Sequence, residues 1–113
     1  MKNLKTFESF LLPKPVRGMV WDNEKLSLAI LKRLKSIDFN DKEELSKLNI
    51  TTENLQYGRV SVYNFYLGLP YKLVYSTSFD NSGEYFFTQG NYKLDVSKEV
   101  CKQIRKQLVR LLP

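Results

Sequence analysis

The chain contains no histidine, and that one absence removes much of enzymology. No Ser-His or Cys-His pair can form, no imidazole is available as a general base near neutral pH, and one cysteine alone cannot build a zinc site. Cys101 is the sole cysteine, so no internal disulfide exists, and its helical context suits a small buried hydrophobe. Glycine is sparse: Gly68, Gly83 and Gly90 each fall in turns, which leaves no glycine-rich phosphate loop. Apolar runs extend only a few residues, too short for a membrane-spanning helix. Residues 1–13 lack the apolar stretch of a secretory signal. These absences predict a cytoplasmic chain with no membrane partner and no cofactor. Asp41, Glu43 and Glu44 read as the acidic first turn of a helix, and Asp80 and Glu84 as flanks of a hairpin turn, so no metal is expected either. Any catalysis falls to Lys, Arg, Tyr, Asp or Glu.

What is present is a basic, aromatic chain of one-domain size. It has 113 residues, 42% of them hydrophobic and 27% charged, the balance of an ordinary globular domain with a single core. Net charge is +6, concentrated at the two ends: residues 1–20 carry +3 and residues 95–113 another +3. If the ends meet in the fold they make one patch suited to phosphate or to an acidic protein. Eleven of the fifteen aromatic residues lie between Tyr57 and Tyr92.

Periodicity divides the chain. Leu4, Phe7, Phe10 and Leu11 have helical spacing and predict a helical extension within residues 1–15, closed by Pro13 and Pro15. Val16 to Trp21 reads as a strand. Leu26, Ile30, Leu34 and Ile37 make the buried stripe of a helix over about residues 24–36, opened by Asp22 and Asn23. Asn40 and Glu43 have capping-box spacing and predict a second, shorter helix ending at Leu48. Residues 49–56 read as a turn or a single helical turn. Residues 59–67, 71–78 and 84–89 are rich in β-branched and aromatic residues and predict three strands, with turns at Gly68-Leu69-Pro70 and at Asp80 to Gly83. A bulge near Tyr63 is expected to bring Phe65 and Leu67 to the face of Val60 and Val62, since strict alternation leaves Asn64 and Tyr66 beside the valines. Gly90-Asn91 breaks the third strand.

From Asp95 a last helix runs nearly to the end, with Val96, Val100, Ile104 and Leu108 buried. Lys98, Lys102, Lys106 and Arg110 form a second stripe on the opposite side, with Arg105 beside it, and these five are the candidate nucleic-acid-binding residues. Cations near a helix C-terminus also complement its dipole, which accounts for the stripe without any ligand. Tyr63, Tyr66, Tyr71, Tyr75 and Tyr85 would stack bases if they lined an exposed sheet face, and would fill the core otherwise. The expected fold is α+β: a three- to four-stranded antiparallel sheet packed against an N-terminal helical pair and a C-terminal amphipathic helix.

The element order, together with the string Leu69-Pro70-Tyr71-Lys72-Leu73-Val74-Tyr75 and the later Gly90-Asn91-Tyr92-Lys93, resembles the RelE/ParE-type toxin family. In that family a helical pair precedes an antiparallel sheet whose hairpin carries a Gly-Tyr-Arg-Leu-Val-Tyr-like string. The resemblance implies a metal-independent endoribonuclease acting on RNA at the ribosome, or a gyrase poison, with an antitoxin as acidic protein partner. It places Lys72 where the family has arginine, Lys93 as the later cation and Arg59 as a cation from the preceding strand. These three are the candidate catalytic residues, stabilising charge on a phosphorane-like transition state. Lysine at position 72 departs from the family, because it cannot grip phosphate bidentately. Two other readings stay open: a non-enzymatic, phage-encoded protein that binds a host or particle protein, and a DNA- or RNA-binding module without catalysis.

Overall fold

Stripes of leucine and isoleucine at helical spacing, and aromatic alternation between them, give the chain two helices that share a core with one sheet. The computed structural model describes residues 23–77 and 83–112. In chain order they form α1 (Asn23–Lys35), α2 (Lys42–Leu48), β1 (Thr51–Leu55), β2 (Val60–Tyr66), β3 (Pro70–Thr77), β4 (Gly83–Gln89), β5 (Tyr92–Leu94) and α3 (Lys98–Leu111). The strand expected at Val16 to Trp21 and the helical extension of residues 1–15 lie outside the described residues. No helix of the described residues is long and apolar enough to cross a membrane.

Helix α1 buries Leu26, Ile30, Leu31 and Leu34 on one face, as its i, i+4 spacing requires. Helix α2 begins one residue later than the capping box at Asn40 and Glu43 implies. Asp41 is the N-cap and accepts from the Glu44 backbone N–H at 3.2 Å, while Asn49 ends the helix in the left-handed region at φ 47°. The Glu44 side chain pairs with Arg33 of α1 at 2.7 Å and so ties the two helices together. Ser97 caps α3 by accepting from Val100 N–H at 3.3 Å.

The sheet is an antiparallel meander of five strands whose spatial order equals their chain order. Two of its strands escape the reading of the sequence as three or four. Strand β1 occupies residues read as a turn, and β5 follows a two-residue turn at Gly90-Asn91 that was read as a break. In that turn Gly90 takes φ 57°, a conformation that favours glycine.

The register also replaces the expected bulge. Strand β2 pairs β3 without interruption from Val60↔Ser76 to Tyr66↔Pro70, so alternation is strict. Tyr63 and Phe65 face the helices, while Val60, Val62, Asn64 and Tyr66 face the other way. A bulge is unnecessary because aromatic rings build the core instead of the valines. Phe65, Tyr71 and Phe87 stack with centroids 5.3, 5.9 and 6.2 Å apart, over Leu73, Leu94, Ile104 and Leu108. The buried Tyr71 hydroxyl accepts from Gln89 Nε2 at 2.9 Å, which satisfies two polar groups inside that core.

Candidate nucleic-acid interface

At one end of the meander, the inner row after the core row reads Asn54, Ser61, Tyr75 and Tyr85 across β1 to β4. Tyr63, on β2, stands in the adjoining row opposite Leu73. Helix α3 crosses above and sends Arg105 into this group. The guanidinium lies 4.2 Å from the Tyr75 ring centroid and 5.7 Å from that of Tyr63, and Arg105 Nε donates to the Tyr63 hydroxyl at 3.2 Å. Tyr75 and Tyr85 pack tilted at 4.8 Å. Burial, and then the adjacent Tyr75, push the Tyr85 phenol above its ordinary value against the pull of Arg105, so it stays a hydroxyl donor at neutral pH. The same guanidinium also hydrogen-bonds the Tyr85 side chain, so Arg105 is a half-buried cation held in a tyrosine cradle, and a planar guanidinium is the group type that grips phosphate.

At about 100° per residue, Lys98, Lys102 and Arg105 fall within roughly 60° of one another on α3. Lys98 and Lys102 are exposed beside the caged arginine, and Lys106 is exposed towards the crest of the helix. Three of the five helix cations therefore line one flank. Arg110 has a different task. Its Nη2 donates to the carbonyls of Leu34 and Ile37 at 3.1 and 3.2 Å, and its Nε to Gln107 at 2.8 Å, so it caps the end of α1. Arg110→Leu is expected to cost about 1 kcal/mol in urea unfolding. The salt dependence of polyanion binding will stay as it was.

The three candidate catalytic cations do not converge. Lys72 and Lys93 lie in a single row through Thr88, on the face of the sheet turned away from the helices. Arg59 sits in the β1–β2 turn, next to Val60 and so at the strand end that carries Tyr75 and Tyr85. In that turn Gln56, Tyr57 and Gly58 all take positive φ (51°, 57° and 86°), and the Tyr57 side chain is fully exposed. Successive left-handed residues other than glycine cost about 1–2 kcal/mol each, and no sequence signal announced them. Of the tyrosines considered for stacking, Tyr71 is core, Tyr66 faces outward, and Tyr63, Tyr75 and Tyr85 hold Arg105.

Cys101, one turn before Arg105, is buried. Burial, with a smaller contribution from Glu24, raises its thiol from 9.0 to about 11. Because the folded state keeps this proton longer than the unfolded chain, the contribution to stability is complete below pH 9 and is lost as pH rises towards 11. Cys101→Ala is expected to flatten that alkaline decline when unfolding is followed from pH 9 to pH 11, a window bounded by the two values.

No family model, curated protein or solved structure matches the chain.

Proposed function

We propose that this protein acts on RNA by binding it, with Arg105 and the α3 flank as the contact surface. The observation that carries the reading is the guanidinium stacked on Tyr75 and bonded to Tyr63, beside exposed Lys98 and Lys102. A solvated charge run needs no aromatic cradle, and Arg105 is held by tyrosine rings and hydroxyls rather than by the backbone carbonyls that Arg110 caps. RNA is also the substrate class that the RelE/ParE-type resemblance implies. Binding is favoured over cleavage because Arg59, in the β1–β2 turn, lies at the other end of the sheet from the row that holds Lys72 and Lys93.

The test is fluorescence anisotropy of labelled single-stranded RNA over a salt series. Affinity is expected to fall steeply with salt, and each of Lys98→Gln and Lys102→Gln to lower the log–log slope by about 0.7. A salt-insensitive association, or unchanged slopes in both variants, overturns the reading.

A second reading has its own observation. An apolar groove of about 510 Å³ lies between α2 and the end of α3, lined by Phe39, Leu45, Ile50, Leu111 and Leu112, and Phe39 is 57% exposed. It fits a protein partner. A stoichiometric, salt-insensitive complex weakened by Phe39→Ser would favour that role.

A further inference from the structure

We propose that the outer face of the sheet is a second nucleic-acid site, one that takes a single strand through an unpaired base. The register aligns Asn64, Lys72, Thr88 and Lys93 in one row across β2 to β5, all on that face. Two strand spacings place the Lys72 and Lys93 backbones about 10 Å apart. In the next row, opposite Val74, stands Phe86, 45% exposed near the middle of the face. Lys93 Nζ lies 5.6 Å from its ring centroid. The main helical contacts of the sheet among the described residues are α3 on β4 and α2 on β2, and the aromatic core lies on the inner side, while on the outer face Val62 and Thr88 are each 9% exposed beside the more exposed Phe86.

The chemistry selects the occupant. Two exposed cations flanking the buried Thr88 suit phosphates, but phosphates alone give no use for a half-exposed phenyl ring beside them. A duplex presents its phosphates while hiding its base faces, and an acidic peptide needs only the lysines. A single strand uses both, because its bases stack on rings while its backbone follows the cations. Within the described strands the face carries two carboxylates, and both stand off from the lysine row. Glu53 is on β1, three strands from Phe86, and Glu84 is opposite Ser76 at the far end of β4. The lysine end of the face is therefore its positive end.

The site is independent of Arg105, which lies on the inner side, and the experiment separates them. The full chain is titrated against a labelled oligonucleotide of about twelve nucleotides, as single strand and as duplex, at fixed salt. Phe86→Leu is expected to weaken single-strand binding about tenfold and to leave duplex binding unchanged. The Lys72→Gln/Lys93→Gln pair weakens both and lowers the single-strand salt slope by about 1.4. Phe86→Trp keeps a stacking face, and its added indole emission is expected to be quenched by the single strand. Single-strand affinity unmoved by Phe86→Leu, equal affinity for duplex, an unquenched indole, or full competition by an acidic peptide overturns the proposal. Arg105→Leu in the same titration reports on the α3 surface alone, so either site can fail without the other.

Discussion

Arg105→Leu is expected to lower affinity for single-stranded RNA by about 2–3 kcal/mol, roughly thirty- to a hundred-and-fifty-fold. The leucine removes a charge, a planar fork of donors and the partner of two tyrosine rings together, while leaving the Lys98 and Lys102 charges in place. Arg105→Lys separates these contributions. It restores the charge without the stacked plane, so it recovers only part of the loss, mainly at low salt. Gly83→Ala approaches the same surface without touching any charge. A β-carbon there would collide with Tyr75 Cε1 and stand 2.9 Å from the Tyr75 hydroxyl oxygen, so the ring must move off its place under the guanidinium. Overpacking of that kind costs about 1–3 kcal/mol of stability, and RNA affinity falls with the displaced ring. Anisotropy titrations of the three variants, beside their urea midpoints, test the cage as a unit. Wild-type affinity in Gly83→Ala would show that the stacked geometry is irrelevant to binding.

Phe87→Ala is expected to cost about 3–5 kcal/mol, measured by urea unfolding at neutral pH. The ring is 1% exposed and stacks against both Phe65 and Tyr71 in a core otherwise built mainly of leucine and isoleucine. Domains of this size have only about 5–15 kcal/mol in hand, so the variant stands near the limit of folding. Phe86→Ala, one residue away on the opposite face, is expected to cost far less, because that ring is already half in water. The contrast between adjacent phenylalanines tests the register directly. Equal losses would mean that the faces of β4 are wrongly assigned.

Much of this architecture was legible in the sequence, and the failures have specific causes. The apolar stripes of α1 and α3 gave those helices to within a few residues, because side-chain spacing on a helix is set by geometry alone. The β2–β3–β4 hairpins were legible from branched and aromatic runs with glycine at their turns. Strand β1 was not, because Thr51 to Leu55 are all exposed and show no alternation to read. Strand β5 is three residues long, below the length at which a pattern can repeat. The bulge was inferred from a preference for valine in the core, whereas here the aromatic set fills it and leaves Val60 and Val62 on the outer face. At the candidate sites the sequence shows which residues are cations, but which of them meet depends on strand register and helix rotation. Arg110 and Arg105 look alike in sequence. One closes a helix end and the other rests on tyrosines, a distinction that only the fold can make.

The strand order that follows chain order has a kinetic meaning. Each hairpin from β1 to β5 joins neighbours in sequence, so the sheet can zip without closing any long loop. The contacts between α1 and α3 are of another kind: Arg110 reaches the Leu34 carbonyl across 76 positions of chain and the Ile37 carbonyl across 73. Loop-closure entropy makes such pairings late and the local ones early. The meander can therefore serve as the template on which the two helices meet. The tyrosine cage, which needs α3 in place above the sheet, belongs to the last step of folding and is the first thing lost when the helices part.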